Sequence, residues 1–276
     1  MSLKINTGGG FSTYSLQKNQ QELSRSLNRL STGKQINAAS DDAAGMAIAN
    51  KLSSQARGMG QAIRNANDAI SISQVAEGAL GQASDLVLNI REKAIQASSA
   101  AQTPATRNAI QAEIAQSLNV LKGIASQTRF NGQPLLSGTF TNQQFQIGPE
   151  SGQTVDISIG SADPSQMTNE EGQSLSEIDV TTVEGAQSAI RAADNALAYI
   201  SDQRSRIGAN VGRLESAINN LSASKINTLA SESQIRDLDY AEESINLNRM
   251  KLLARASAFA RAQSGNVSRQ IVNLFE

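Results

Sequence analysis

Apolar residues recur along most of the chain at spacings of three, four and seven, which is the pattern of amphipathic helices. The first such segment is predicted to begin at Ser12. It is predicted to stop at Gly33, because glycine readily adopts the left-handed conformation that ends a helix. The apolar stripe of this helix consists of Leu16, Leu23, Leu27 and Leu30.

Two further helices are predicted before residue 130. The first runs from Ala43 to about Ser99, with Asp41 or Asp42 as its cap and a candidate break at 58–60. Its expected core stripe is Ile72, Ala76, Ala79, Ala83, Leu86, Ile90 and Ala94. The second opens on the dipeptide 103–104, a threonine cap followed by a first-turn proline. Its stripe is Ile110, Ile114, Leu118, Leu121 and Ala125.

The middle of the chain has a different periodicity. FTNQQFQIG and TVDISIG alternate apolar with polar residues, and an Asn-Gly pair at 131–132 is a turn signal, so short strands or hairpins are expected over about 130–160. Residues 160–180 are rich in Ser, Gly, Asp and Glu, and we expect them to form a surface loop.

Helical spacing returns at Thr182 and continues to about residue 230. Apolar positions here alternate steps of three and four, which is typical of a coiled-coil seam. Arg204 and Lys225 also occupy seam positions. The apolar seam comprises Ile190, Ala193, Leu197, Ile200, Ile207, Val211, Leu214, Ile218 and Leu221. A last helix follows a capping box at 239–242 and carries Ile245, Met250, Leu253, Phe259, Val267, Ile271 and Leu274.

These elements predict a mainly α fold. N- and C-terminal segments would form a long antiparallel helical bundle or coiled coil, and the middle would hold a small β-hairpin lobe at 130–181. We expect two domains: 1–42 with 236–276 as terminal helices, and 43–181 with 182–235 as a rod-like bundle. The terminal helices have apolar faces that only each other can cover, so a single chain is predicted to be incomplete.

The composition excludes most kinds of catalysis and metal binding. The chain has no Cys and no His, so thiol nucleophiles, imidazole bases and the usual zinc ligands are absent. We therefore expect no enzyme, no cofactor and no metal site. A net charge of -1 gives no general attraction to nucleic acid, and no apolar run approaches the ~20 residues that a membrane-spanning helix needs.

Two short stretches resemble catalytic or binding sites without fitting them. Residues 32–34 read Thr-Gly-Lys, but a phosphate-binding loop needs Gly where Asn28 stands and Ser or Thr where Gln35 stands. Asp41 and Asp42 are neighbours at a predicted helix start, where capping and the helix dipole explain carboxylates better than paired acid–base chemistry. Both stretches are therefore interpreted as parts of a joint between helices.

The residues on either side of that joint resemble a known family. SLNRLSTGKQINAASDDAAGMAIANKLSSQARGMGQAIRNANDAISISQVAEGAL is similar to the N-terminal signature of bacterial flagellins, and IGANVGRLESAINNL with SQIRDLDYAEES is similar to their C-terminal signature. The resemblance covers about 1–136 and 182–276. It implies an extracellular structural subunit that the flagellar type III apparatus exports unfolded and that polymerises into a hollow helical filament for swimming.

The same resemblance implies partners and functional residues. The chain is expected to bind copies of itself, an export chaperone, the filament cap and hook-junction proteins, and to insert in no membrane. Terminal helices would form the inner tube, with the bundle around it. The expected polymerisation core is Leu16, Leu23, Leu27, Leu30, Ile245, Leu253, Val267, Ile271 and Leu274. A hook–filament junction protein, which shares the helical ends, is the alternative.

One departure from the family concerns innate immunity. Flagellins that activate the innate Toll-like receptor resemble R-V-R-E-L-A-V-Q in the first bundle helix. Here Asn89 and Lys93 replace an Arg and a Leu of that motif. The motif residues retained are Arg91, Glu92 and Gln96, and Glu113 matches a downstream Glu. The resemblance therefore predicts weakened receptor activation.

Overall fold

This computed structural model describes residues 8–168 and 174–273, with side chains described over 13–168, 174–263 and at 266. Within these ranges the chain forms five α-helices, one 3₁₀ turn and two β-hairpins, which confirms the mainly α class. The helices are α1 (Gly8–Thr32), α2 (Ala43–Ser98), α3 (Pro104–Gln127), α4 (Val183–Arg236) and α5 (Tyr240–Asn273). The strands are β1 (Arg129–Phe130), β2 (Gln133–Pro134), β3 (Gln143–Gln146) and β4 (Thr154–Ile157), and the 3₁₀ turn is Leu175–Glu177.

Two helix predictions that depended on glycines were wrong. Helix α1 begins at Gly8, before the predicted start at Ser12, although glycine is a weak helix former. Helix α2 passes through 58–60 without a break. At Gly58 the reason for glycine is packing, because a Cβ there would lie 3.1 Å from the Cβ of Pro149. The residue serves a close approach between segments, and it does not end a helix.

Three predicted caps are present. Asp42 accepts a 2.9 Å hydrogen bond from the Gly45 amide, so Asp42, rather than Asp41, caps α2. The Thr103 hydroxyl accepts from the amide three residues on, at 3.2 Å, and Pro104 opens α3. Asp239 accepts from the amides of residues 241 and 242, which caps α5. Each cap satisfies amides that the first turn of a helix leaves without an intrahelical partner.

The chain forms two compact units. Residues 56–225 form one, here called the bundle unit, and the described residues up to 55 with those from 226 onward form the other, the terminal unit. Helices α2 and α4 contribute to both.

A strict heptad seam on α2 fills the centre of the bundle unit. Buried positions at steps of three and four form it: Ala66, Ala69, Ser73, Ala76, Leu80, Ala83, Val87, Ile90, Ala94 and Ala97, and Ile72 of the predicted stripe is buried beside it. The predicted stripe was partly wrong, since Ala79 and Leu86 are only half-buried whereas Leu80 and Val87 are fully buried. Two apolar stripes run one residue apart on this alanine-rich helix, and periodicity alone does not choose between them.

Helix α4 supplies the facing seam. Ala193, Ile200, Ile207 and Leu214 recur every seven residues and are buried. Their seam neighbours are half-buried against the same core: Ile190, Leu197, Val211 and Ile218. Leu221 is also half-buried. Small alanines on both helices let the backbones approach closely, so the core is thin and holds few aromatic side chains.

Two ion pairs show the relative direction of α2 and α4. Arg91 Nε lies 2.6 Å from Asp194 Oδ1, and Arg204 Nη2 lies 3.2 Å from Glu77 Oε1. Glu77 precedes Arg91 on α2, whereas its partner Arg204 follows Asp194 on α4. The two helices are therefore antiparallel. Arg204 thus occupies a seam position without entering the core, since its guanidinium reaches the edge of the interface.

The two hairpins agree with the predicted strands. β1 pairs with β2 across a turn at 131–132 in which both residues have positive φ, as the Asn-Gly signal indicated. β3 pairs antiparallel with β4, with Gln143 opposite Ile157 and Gln146 opposite Thr154.

The described parts of 160–180 are not a surface loop, so that prediction was wrong. Ala162, Met167, Leu175, Ile178 and Val180 are buried in the core of the bundle unit. The side chain of Gln111 on α3 also holds this segment, donating to the Ile178 carbonyl at 3.1 Å and accepting from the Val180 amide at 2.8 Å. Single apolar residues scattered among polar ones carry no periodicity, which is why composition suggested a loop.

Candidate assembly surface

Helices α1 and α5 pack against each other in the terminal unit. On α1 the less exposed positions include a row at steps of three and four: Leu16, Asn19, Leu23, Ser26 and Leu30. On α5 the less exposed positions include Leu247, Met250, Ala254 and Ser257. Asn19 Nδ2 donates a 2.7 Å hydrogen bond to Ser257 Oγ across the pair. The contact is thus a mixed seam with polar members, unlike the apolar centre of the bundle unit.

The segment after α1 is hydrogen-bonded to the segment that joins α4 to α5. The Gln35 amide donates to the Arg236 carbonyl at 2.8 Å, and the Leu238 amide donates to the Gly33 carbonyl at 3.1 Å. Gly33 has φ +68, and a Cβ there would lie 2.8 Å from the Tyr240 hydroxyl. Glycine is therefore favoured by the left-handed backbone, and a larger residue would also displace the exposed Tyr240 hydroxyl.

This arrangement rules out a phosphate-binding loop at 32–34. Backbone amides must be free to bind phosphate. Here the Gly33 amide donates to the Arg29 carbonyl at 2.8 Å, and the Lys34 amide lies 3.3 Å from the Thr32 hydroxyl. The Gln35 amide donates to the Arg236 carbonyl and is therefore not free either. The stretch is a joint, as predicted.

Asp41 and Asp42 have different structural roles. Asp42 caps α2, whereas Asp41 Oδ2 accepts 3.1 Å hydrogen bonds from the amides of Asn37 and Ala38. The bond from Ala38, with further help from Asn37 and the charges of Arg29 and Arg25, lowers the pKa of Asp41 despite the opposing effect of burial. Asp41 therefore stays ionised and holds the loop between α1 and α2 in shape.

A row of large apolar side chains on α5 is exposed. Ile245, Leu252 and Phe259 recur every seven residues and are 62%, 65% and 74% exposed, respectively. We call these three residues the α5 stripe. Seven residues are two turns of a helix, so the three side chains lie on nearly the same side. An ordered row of exposed apolar residues is typical of a surface that another molecule covers.

The predicted polymerisation core is only partly on this row. Ile245 belongs to it, and Leu27 and Leu253 are exposed elsewhere on α1 and α5, whereas Leu16, Leu23 and Leu30 are half-buried. The side chains of Val267 and Ile271, and Leu274 altogether, lie outside the described residues.

Sequence reasoning left two members of the row out of the predicted core. Leu252 and Phe259 share the spacing of seven with Ile245, and that spacing could have identified them.

The receptor-motif positions lie on α2 and α3 in the bundle unit. Asn89, Glu92 and Gln96 are exposed. Arg91 pairs with Asp194, as described above. Lys93 Nζ lies 2.5 Å from Glu113 Oε2. The lysine that departs from the motif is therefore paired with the downstream glutamate.

The described residues form neither a metal site of carboxylates nor a membrane-spanning helix. Over 8–168 and 174–273, no group of three or more acidic side chains is placed to hold a metal ion. No helix within those ranges is long and apolar enough to cross a membrane.

Comparison with known families decides the assignment. The bacterial flagellin N-terminal helical region matches residues 12–141, and the bacterial flagellin C-terminal helical region matches residues 190–275. The chain belongs to the bacterial flagellin family. This flagellin is thus a structural filament protein and not an enzyme, and its family membership confirms the resemblance seen in the sequence.

Individual relatives support the same family assignment. A flagellin of Halalkalibacterium halodurans is 37% identical over 91% of this chain and 90% of its own length. A flagellin of Bacillus subtilis is 35% identical over 94% of each chain. Among solved structures, a putative flagellar hook-associated protein from Vibrio parahaemolyticus has a TM-score of 0.61 at 14% identity, covering 71% of this chain and 100% of its own. That likeness concerns the fold alone.

Proposed function

We propose that this flagellin polymerises through its terminal unit into the hollow helical filament used for swimming. The observation that carries the proposal is the α5 stripe, whose three large side chains are exposed on a helix that is already paired with α1. Because α1 does not cover the stripe, another molecule must do so if those side chains are to be buried. A second copy of the chain is the partner that a filament supplies.

The energy available from such burial is sufficient for assembly. Each large apolar side chain that moves from water into a contact stabilises it by about 1.5–3 kcal/mol. Leu27 and Leu253 add exposed apolar surface on the same two helices. Several side chains of this kind per subunit can offset the loss of translational and rotational freedom on association.

The proposal assigns a place to each part of the chain. Terminal helices, 1–42 with 236–276, form the inner tube, the rod-like bundle of 43–181 with 182–235 surrounds it, and the lobe at 130–181 faces outward. The closed hydrophobic core of the bundle unit supports this division, because its apolar side chains are already buried within one chain. The flagellum places the subunit outside the cell.

Export through the flagellar type III apparatus in an unfolded form belongs to the same proposal. Helices α1 and α5 are far apart in sequence, so their pairing forms only after both have emerged. A chain without Cys also has no disulfide to form or break on the way. An export chaperone, the filament cap and hook-junction proteins are the proposed further partners.

A hook–filament junction protein is the competing candidate. The fold likeness to a putative hook-associated protein, at a TM-score of 0.61, fits a junction protein and a filament subunit equally, because it concerns the fold alone. Sequence identity favours the filament subunit, since that structure is 14% identical whereas relatives named flagellin are 35% and 37% identical over most of the chain. A junction protein would occupy a few positions and would not polymerise at length.

Electron microscopy of the purified chain with short filament seeds tests the proposal. Long tubes are expected from the full chain. A variant lacking residues 240–276, and therefore α5 and its stripe, should keep a folded bundle and form no tubes. Tubes from the truncated chain would refute the role of α5. Persistent monomer from the full chain under all conditions would favour the junction protein.

We also infer that the innate Toll-like receptor is activated weakly. The Lys93–Glu113 pair supports this, since it engages the glutamate and places a charge where the receptor motif has Leu. Lys93→Leu should raise the potency with which this flagellin activates the receptor in a reporter cell assay. Lys122→Leu, the same change at an exposed position of α3, should leave that potency unchanged. Wild-type potency equal to that of a strong activator would contradict the inference.

A further inference from the structure

A small polar cavity lies between the second half of α1 and the loop that follows it. Its volume is about 280 Å³, and its wall includes Arg25, Asn28 and Arg29 from the helix and Asn37 and Asp41 from the loop. This is smaller than the roughly 300–1,000 Å³ of pockets that hold drug-sized ligands. The space suits one side chain or a small ion.

Charges in the cavity wall balance only together with a neighbouring residue. Asp41 is the one carboxylate in the wall, against two guanidinium groups. Asp41 Oδ2 is already used by two backbone amides, and Oδ1 lies 3.8 Å from Arg25 Nε. Arg25 has a second acidic neighbour in Glu22, at 3.5 Å. With Glu22 counted beside the wall, the two guanidinium groups have two carboxylates, so what the cavity lacks is a hydrogen-bond acceptor and not a net charge.

Arg29 has a hydrogen-bond donor without an acceptor, although its charge acts on Asp41. Its Nε is shielded from water and has no hydrogen-bond acceptor among the described residues. No ion pair within 4.0 Å is found for its guanidinium in the described part of the chain either. A guanidinium usually binds a carboxylate through two parallel hydrogen bonds, and leaving a partly buried donor unpaired is costly. What is missing is an acceptor, and the strongest acceptor for a guanidinium is an oxyanion.

We propose that this cavity binds a carboxylate side chain from a second copy of the chain. The proposal rests on the proposed polymerisation, which brings a second copy to the terminal unit. Suitable carboxylates are present, since Asp68, Asp85 and Glu215 are exposed and form no ion pair within the described residues. The contact gives the interface a charged, directional element beside the non-directional apolar burial of the α5 stripe.

Carbodiimide cross-linking of assembled filaments tests this directly. Arginine does not react, whereas Arg29→Lys keeps the charge and introduces an amine that forms an amide with a nearby carboxylate. The variant is mixed as a minority with wild-type chains, so that seeds and neighbours stay intact. Arg57→Lys, at an exposed position of α2 outside the cavity, is the matched control. Mass spectrometry identifies the linked peptides.

Intermolecular links from position 29 to an acidic residue of another copy, at least several-fold above those from the control position, are expected. Links to Glu22 or Asp41 of the same chain alone, or no links, would overturn the proposal. A free anion is distinguished by melting filaments in phosphate and in chloride at equal ionic strength. If phosphate stabilises wild-type filaments but not those of Arg29→Gln, and no intermolecular link forms, the cavity holds a free anion and the proposal is wrong.

Failure of polymerisation itself is a separate result. Wild-type chains that form no filaments would contradict the proposed function before any cross-linking is done. Wild-type filaments that give no link from position 29 would contradict only the carboxylate site.

Discussion

The two units of this flagellin are built from similar amphipathic helices but bury their apolar side chains to very different degrees. The bundle unit encloses one continuous cluster that runs from Ala66 to Leu214. Among the described residues of the terminal unit, Ile36 and Ala49 are the buried apolar side chains. The α5 stripe is exposed in the same unit. Helical periodicity therefore does not by itself make a core, because an apolar face becomes one only when a partner covers it.

Breaking the closed core should have the largest effect. Leu214 is completely buried, so Leu214→Asp places a carboxylate in an apolar seam and should destabilise the bundle by about 4 kcal/mol or more. For a unit of this size that corresponds to a fall in Tm of roughly 10 °C. The matched control is Leu88→Asp, the same change at an exposed position of α2. Equal melting curves for the two variants would contradict the assignment of the seam.

The same chemical change on the α5 stripe should leave folding intact and impair assembly. Ile245→Asp alters an exposed side chain, so the bundle should melt as in the wild type. Losing about 2 kcal/mol of burial per contact raises the critical concentration for polymerisation by roughly thirtyfold. Sedimentation of filaments over a range of protein concentrations measures this. Ser244→Asp, at the exposed neighbouring position, should assemble normally, and equal loss in both variants would show a general charge effect.

Acid should loosen the joint of the terminal unit through Asp41. Because the pKa of this carboxyl is lowered in the folded state, its contribution is fully present above the unfolded value of about 3.9 and is lost as pH falls through the lowered value. Asp41→Asn should cost about 1–2 kcal/mol at neutral pH and flatten the acid limb of filament stability. Light scattering of filaments during acid titration gives the midpoint. Asp156→Asn, the same change at an exposed position of β4, is the control, and an unchanged acid limb in Asp41→Asn would exclude this role.

The ion pairs at the edge of the bundle should contribute least. Arg204 and Glu77 are both partly exposed, and exposed pairs are worth about 0–1 kcal/mol. A double-mutant cycle with Arg204→Ala and Glu77→Ala, read by chemical unfolding, isolates the pair. We expect a coupling below about 1 kcal/mol. A larger value would mean that the pair, rather than the alanine seam, sets the helix register.

Most of the fold was predictable because the signals were local. The caps at Asp42, Thr103 and Asp239 and the turn at 131–132 depend on short-range hydrogen bonds or backbone preferences that a few residues encode. Burial at 160–180 was missed because Leu175, Ile178 and Val180 are held by contacts with distant segments. The side chain of Gln111 bridges 67 residues to reach Ile178.

The candidate surface was predictable only in outline. Spacing places Ile245 on an apolar face, but whether α1 covers that face depends on how the two helices pair. The side of α5 that packs on α1 includes polar Ser257, bonded to Asn19, so hydropathy alone assigns the wrong side to the contact. The Arg29 Nε without an acceptor was equally unpredictable, since its surroundings come from a loop that folds back on α1.

Hydrogen exchange of monomer and filament, compared residue by residue, would decide whether the terminal unit depends on assembly. Buried amides around Ile200, Ile207 and Leu214 should be equally protected in both states, because the bundle unit closes its own core. Amides of α1 and α5 should exchange quickly in the monomer and become strongly protected only in the filament. Equal protection of α1 and α5 in the two states would contradict this, because it would show a terminal unit that is already complete in a single chain.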